Sequence, residues 1–196
     1  MRQLVAALAL LVESRARKAV TSYRTPRRRL VLKSLNHLNA ETAAETQKKL
    51  LKCCGSTAWA TKVAQARPFS NVDQLKKTAE RVWWSLEPDD WLEAFSSHPK
   101  IGERKAESTS HGWSEQEQSG VKNASDDTRQ QLAQLNRKYE EKFGYIFIIC
   151  ATGKTSNQML SNLEGRLHNS PEKELHIAAA EQAKITALRL EKLLNS

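Results

Sequence analysis

Residues 70–100, SNVDQLKKTAERVWWSLEPDDWLEAFSSHPK, decide how the fold is read. Val72, Leu75, Ala79, Val82, Trp83 and Leu86 recur at i, i+3, i+4, i+7 spacing, the stripe of an amphipathic helix with one buried face. Ser70 stands where an N-cap is expected, and Pro88 ends the pattern. Asp89 and Asp90 then occupy the positive end of a second helix, whose packing residues are Trp91, Leu92 and Phe95. That helix stops at His98, because Pro99 drives its predecessor out of helical geometry. An imidazole at such a corner can take or give a proton near neutral pH.

The same grammar extends in both directions. Asn39 predicts the N-cap of a helix carrying Ala43, Leu50, Leu51 and Cys54, with Gly55 as its C′ glycine. Ser56 predicts the cap of a helix with Trp59 and Val63 that ends before Arg67-Pro68-Phe69. Downstream, Glu103 to Gly112 reads as a polar surface loop, and Ser114 opens a helix. Ser125 caps one with Leu132, Leu135, Tyr139 and Phe143, closing at Gly144. Ser156 caps another with Met159, Leu160, Leu163 and Leu167. Ser170-Pro171 starts a long final helix to about Leu194. Tyr145 to Ala151 is the sole β-like run, and a lone strand has no partner, so it reads as buried extended or helical backbone. The expectation is an all-α, single-domain bundle of roughly eight helices.

Composition agrees. The 196 residues include only seven glycines and five prolines, few for a sheet-rich chain with many turns. The formal net charge is +9, but it is unevenly placed. Residues 1–29 hold eight basic side chains against the single acid Glu13, whereas the body is nearly balanced. A nucleic-acid domain would carry a basic face on its folded part, so no nucleic-acid partner is expected. Residues 1–33 are read as a basic extension outside the fold, and 34–196 as the domain. The extension weakly resembles a secretory segment without a cleavage site, resembles a mitochondrial transit peptide, or is an unstructured leader from an early start codon. No run reaches the ~20 apolar residues of a membrane span. Three cysteines, Cys53, Cys54 and Cys150, fit neither a disulfide framework nor a zinc spacing and suit a reducing compartment. The expected location is intracellular and soluble: the cytoplasm of a bacterium or a peroxisome in a eukaryote, although the final residues Leu194-Asn195-Ser196 are no peroxisomal tripeptide.

Three side chains stand out for chemistry. His98 either exchanges protons or satisfies carbonyls at a helix end. Glu117 closes the Ser114-Glu115-Gln116-Glu117 pattern of a capping box, a role compatible with facing a ligand at that helix end, where the freed amides of Glu115 and Gln116 can meet an anion. Arg189 shares a helix face with Ile185 and has no acid at i±3 or i±4. It therefore either meets a distant carboxylate or anionic ligand, or snorkels into solvent. Walker, dinucleotide, zinc-protease and nucleophile-elbow motifs are missing, so no metal and no cofactor is expected.

Taken in order, Phe95 to Gly102, Glu117-Gln118-Ser119-Gly120, Leu135 to Tyr139, Phe143-Gly144-Tyr145 and Leu188-Arg189-Leu190 closely resemble the OHCU decarboxylase family, from about Leu35 to Leu194. Cys53-Cys54-Gly55 and Arg67-Pro68-Phe69 look like further family features. The resemblance implies an all-helical, commonly dimeric enzyme without metal or organic cofactor. Its implied reaction converts 2-oxo-4-hydroxy-4-carboxy-5-ureidoimidazoline (OHCU) to (S)-allantoin, after uricase and a separate 5-hydroxyisourate hydrolase. It implies catalytic roles for His98, Glu117 and Arg189. Implied substrate contacts are Pro99, Ser114, Glu115, Gln116, Gln118 and the backbone of Phe147, Ile148, Ile149, Cys150 and Ala151. The rival readings are a non-catalytic helical interaction module retaining the motif, and a nucleic-acid binder acting through the leader.

Overall fold

A computed structural model describes residues 26–99 and 125–195. These residues form eight helices: α1 (Pro26–Ala40), α2 (Ala43–Cys53), α3 (Thr57–Gln65), α4 (Val72–Trp84), α5 (Pro88–Ser96), α6 (Asp126–Phe143), α7 (Ser156–Arg166) and α8 (Pro171–Asn195). The all-α bundle expected from the sequence is what the chain forms. The first helix runs across the 33/34 boundary, burying Leu35 and Leu38 and packing Val31 against the core. The expected loop from Glu103 to Gly112 and the expected helix at Ser114 lie outside the described residues.

Side-chain caps set most of the helix starts. Ser56 Oγ accepts from the Trp59 amide at 3.2 Å, and Ser125 Oγ accepts from the Thr128 amide at 3.2 Å. Pro88 takes the first position of α5, with Asp89 and Asp90 in its first turn. Gly144 closes α6 at φ 79°, a left-handed conformation that costs glycine nothing sterically.

Four cap expectations need correction. Asn39 lies inside α1; the cap of α2 is Thr42, in a box with Glu45 that satisfies two amides reciprocally. Asn39 serves instead as a clamp, its amide donating to Phe69 O at 2.8 Å and accepting from Phe69 N at 2.9 Å. At α4 the cap is Asn71 rather than Ser70, and at α7 Thr155 rather than Ser156. In both cases two competent cap residues are adjacent. At α7, the box with Gln158 fixes the choice. Gly55, finally, is no left-handed terminator, since α2 leaves through extended Cys54 at φ −143° and ψ 123°. Its missing side chain matters for another reason. A Cβ on Gly55 would lie 2.2 Å from Ser97 Oγ and 2.3 Å from Ser97 Cβ.

The Arg67-Pro68-Phe69 stretch ties α1 to the turn after α3. Arg67 Nη1 donates to Leu38 O and Glu41 O, both at 2.8 Å, and to Thr46 Oγ1 at 2.6 Å. One guanidinium thereby serves carbonyls that the end of α1 leaves without helical partners.

The long α8 packs against α1, α2, α4, α5 and α6. Three buried indoles fasten this assembly. Trp59 Nε1 donates to Ala79 O at 2.9 Å, Trp83 Nε1 to Ala179 O at 3.0 Å, and Trp91 Nε1 to Trp83 O at 3.0 Å. Each tryptophan buries its ring while giving its one polar atom a partner. A second, smaller core lies between α6 and α7, formed by Leu132, Tyr139, Phe147, Ile149, Ala151, Met159 and Leu163.

The β-like run joins the two cores. It is extended and, among the described residues, pairs with no strand. Successive side chains still alternate as in a strand: Phe147, Ile149 and Ala151 enter the small core, Ile148 and Cys150 the large one.

The Gly55 contact makes a direct prediction. Gly55→Ala should destabilise the fold by about 1–3 kcal/mol through overpacking, measured by chemical denaturation. Adding Ser97→Gly should recover most of that loss. A stable Gly55→Ala single variant would contradict the contact.

Candidate functional site

The His98 corner is built by α5. Its backbone amide donates to Phe95 O at 3.1 Å, and the Ser97 amide to Ala94 O at 3.2 Å. These tight bonds end the helix and turn the chain into Pro99. His98 and Pro99 are both half-buried. Glu93, one turn earlier, anchors the same helix to α3. Its carboxylate accepts from Thr57 N at 2.9 Å and Thr57 Oγ1 at 2.7 Å, at the helix end where negative charge is favoured.

Arg189 lies on α8 and is only 3 % exposed. This burial removes the snorkelling alternative, since its head group does not reach open solvent. Its surroundings include Cys54, which is fully buried, and Thr186, which bonds the Cys54 sulfur. Gln182 Nε2 donates to Thr186 Oγ1 at 3.1 Å, extending a buried polar strip along α8. Burial drives the Cys54 thiol up to about 12, only partly offset by its hydrogen bonds with Ser56 and Thr186 and by the Arg189 charge.

Cys54 and Gly55 thus connect two of the expected site residues. Cys54 lies within the electrostatic reach of Arg189, and Gly55 presses against Ser97, the neighbour of His98. Of the other histidines, His37 is exposed and paired with Glu41, His168 is exposed, and His176 edges onto Trp91 at 5.5 Å. His111 lies outside the described residues. So do Ser114, Glu115, Gln116, Glu117 and Gln118.

Phe147 to Ala151 are all buried, and several of their backbone groups are held by side chains. Ile148 O accepts from Arg166 Nη1 at 2.8 Å, Cys150 N donates to Glu181 Oε2 at 2.8 Å, and Cys150 O accepts from Lys154 Nζ at 2.9 Å. Behind them is a network the sequence reading missed. Arg166 Nε donates to Glu174 Oε1 at 2.7 Å, Tyr139 Oη donates to the same oxygen at 2.5 Å, and Asn169 Nδ2 donates to Glu174 Oε2 at 2.7 Å. The Arg166 guanidinium also lies 4.6 Å from the centre of the Phe147 ring, within cation–π range. Burial and the Glu174 carboxylate raise the Tyr139 hydroxyl far above its ordinary range. Glu181 shows the opposite balance. Burial raises its carboxyl, but bonds from Lys184 and the Cys150 amide, with the nearby Lys154 charge, bring it below the usual range.

Neither group was visible in the sequence. Glu181 stands three residues before Lys184 and looks like half of a surface ion pair, while Arg166 and Glu174 sit on opposite sides of the Ser170-Pro171 corner. Among the described residues, no three His, Cys, Asp or Glu side chains are placed to hold a metal ion. No described helix is long and apolar enough to cross a membrane.

The model of the OHCU decarboxylase family matches residues 39–191. The chain is 40% identical over 148 residues to the uric acid degradation bifunctional protein TTL of Arabidopsis thaliana, covering 73% of this chain and 45% of that protein. It therefore spans less than half of that bifunctional relative. It is 26% identical over 168 residues to the 2-oxo-4-hydroxy-4-carboxy-5-ureidoimidazoline decarboxylase of Haloferax volcanii, covering 85% of this chain and 98% of that one. Among solved structures, a crystal structure of an OHCU decarboxylase in the presence of (S)-allantoin superposes with a TM-score of 0.66 at 40% identity, covering 74% of this chain and 96% of the other. The family match spans the helices that carry the His98 corner, the Cys54-Gly55 junction and Arg189, and on that ground the chain belongs to the OHCU decarboxylase family.

Proposed function

We propose that this protein decarboxylates OHCU to (S)-allantoin, with His98, Glu117 and Arg189 as its catalytic residues. The observation that carries the reading is the Cys54-Gly55 junction, packed against Ser97 beside His98 on one side and within the electrostatic reach of buried Arg189 on the other. Family membership supplies the substrate class.

The chemistry suits these residue types. The bond from the hydroxyl-bearing ring carbon to its carboxylate breaks, CO₂ leaves, and the electron pair passes into the adjacent C=N. The ring nitrogen takes up a proton, the hydroxyl carbon becomes a carbonyl as its hydroxyl proton leaves, and the ureido-bearing carbon gains one proton on one face, so that one proton is taken up overall in place of CO₂. The substrate itself delocalises the charge, so the protein has to orient the carboxylate, stabilise the developing anion and place that proton. His98 donates the proton, with Glu117 holding the imidazole's orientation and tautomer. Arg189 grips the anionic or carbonyl end of the substrate through its planar fork. Pro99, Ser114 to Gln118 and the backbone of Phe147 to Ala151 complete the substrate contacts. A buried arginine is consistent with this use.

We place the reaction at the end of urate breakdown, downstream of uricase and a 5-hydroxyisourate hydrolase, in agreement with the bifunctional urate-degradation relatives. A homodimer is the assembly that the family likeness implies.

Three outcomes check this reading. His98→Ala should lower the rate of (S)-allantoin formation from freshly generated OHCU by about 10²-fold or more, followed by circular dichroism; an unchanged rate would overturn the assignment. Glu117→Gln separates two roles, because a capping box tolerates glutamine. The variant should stay as stable as the parent while losing activity, and full activity would reduce Glu117 to a cap.

Cys54 should play no nucleophilic part. With its thiol pushed up to about 12, it stays protonated in the folded chain at neutral pH, so iodoacetamide should leave activity intact while the chain is folded. The same shift has a stability consequence. An unfolded Cys54 loses its proton near the ordinary thiol value of 9.0, so stability should fall as pH rises between that value and about 12. Cys54→Ala should remove that component of the pH slope, measured by denaturation at pH 8 and about pH 10.

A further inference from the structure

We propose that Glu181, together with Arg166, is a positioning residue that sets the register of Phe147 to Ala151 for substrate binding. The inference rests on the reading above that this backbone contacts the substrate.

An extended segment without a neighbouring strand has no ladder to satisfy its amides and carbonyls, or to fix its position along its own axis. Here its side chains alternate between two cores. A slip of one residue would exchange the two sets, putting the Phe147 ring where Ile148 belongs. Packing therefore favours a single register, but packing alone leaves the orientation of each peptide plane loose.

Two side chains on two different helices fix those planes. Arg166, from α7, donates to Ile148 O at 2.8 Å while stacked on Phe147, and its own charge is compensated by fully buried Glu174. Glu181, from α8, accepts from Cys150 N at 2.8 Å with a side chain only 13% exposed. The two anchors grip consecutive peptide groups, those on either side of Ile149. Glu181 and Arg189 also share one rigid helix, so α8 positions the proposed substrate-reading backbone and the proposed anion-gripping fork together. Arg166 is entangled with Tyr139 and Glu174, and removing it would disturb the small core. Glu181 is the cleaner probe.

The experiment compares Glu181→Ala, Glu181→Gln and Lys184→Ala in the full chain. Glu181→Ala should raise KM for OHCU about tenfold while kcat stays within about twofold, as expected for loss of binding geometry away from the reacting carbon. Glu181→Gln keeps an acceptor for the Cys150 amide and should return KM close to the parent value. Lys184→Ala removes only the exposed partner of Glu181 and should leave both constants unchanged. A merely structural role would lower the active fraction, and with it apparent kcat, while KM stayed put; that pattern overturns the proposal.

Hydrogen exchange gives a readout independent of turnover. The Cys150 amide should exchange about tenfold faster in Glu181→Ala, with α6 and α7 unaffected and protection restored in Glu181→Gln. Unchanged protection overturns the positioning role. A parent protein that forms no (S)-allantoin overturns the decarboxylase reading instead, leaving the exchange result to decide this one.

Discussion

Gly55 lies so close to Ser97 that even a methyl group would collide with it, and the arrangement of the candidate site follows from that approach. The junction between α2 and α3 can enter the gap beside the end of α5 only because residue 55 lacks a side chain. Entry brings Cys54, fully buried, to the polar strip of α8 where Thr186 and Arg189 lie. Glu93 reinforces the approach from the α5 side through its two bonds to Thr57. A substitution that widens the gap by even one ångström would move the histidine corner relative to the arginine helix, although neither residue had been touched.

The other organising feature is the amount of polarity that α8 buries. Glu174, Gln182, Thr186 and Arg189 are all buried on one 25-residue helix. A buried charge is costly unless paired and hydrogen-bonded. Glu174 meets this condition with Arg166, Tyr139 and Asn169, in an arrangement that stiffens the corner between α7 and α8. Removing one member would strand the others and cost more than replacing the set with hydrocarbon. Small residues on the same helix, Ala178 and Ala179, allow the neighbouring helices to approach closely, and the Trp83 indole bonds directly to the Ala179 carbonyl. The fold therefore uses α8 both as core filler and as a rigid mount for charged groups.

Much of this was legible in the residues. The stripe from Val72 to Leu86, the break at Pro88 followed by Asp89 and Asp90, and Gly144 at a helix end each follow from local stereochemistry, so the bundle could be read without tertiary information. Cap identity slipped by one residue at Ser70/Asn71 and Thr155/Ser156, because adjacent residues had equal capping chemistry. Asn39 and Gly55 were misread for a deeper reason: their roles depend on Phe69 and Ser97, which are distant in sequence. In the candidate site, Arg189 signalled itself as an arginine on an apolar face without a local acid. Arg166 and Glu181 gave no such signal, since one faces its partner across a helix corner and the other mimics a surface pair with Lys184. Long-range partnership is the information that pattern and spacing lack.

The central claim is that His98 and Arg189 serve one site from two sides of the Cys54-Gly55 junction. A double-mutant cycle on kcat/KM for OHCU, built from His98→Asn, Arg189→Lys and their combination, tests it most directly. If both residues act on the same transition state, the combined variant should be no more than about threefold worse than the poorer single variant. Losses that multiply in full would mean that the two act independently, and would contradict the account.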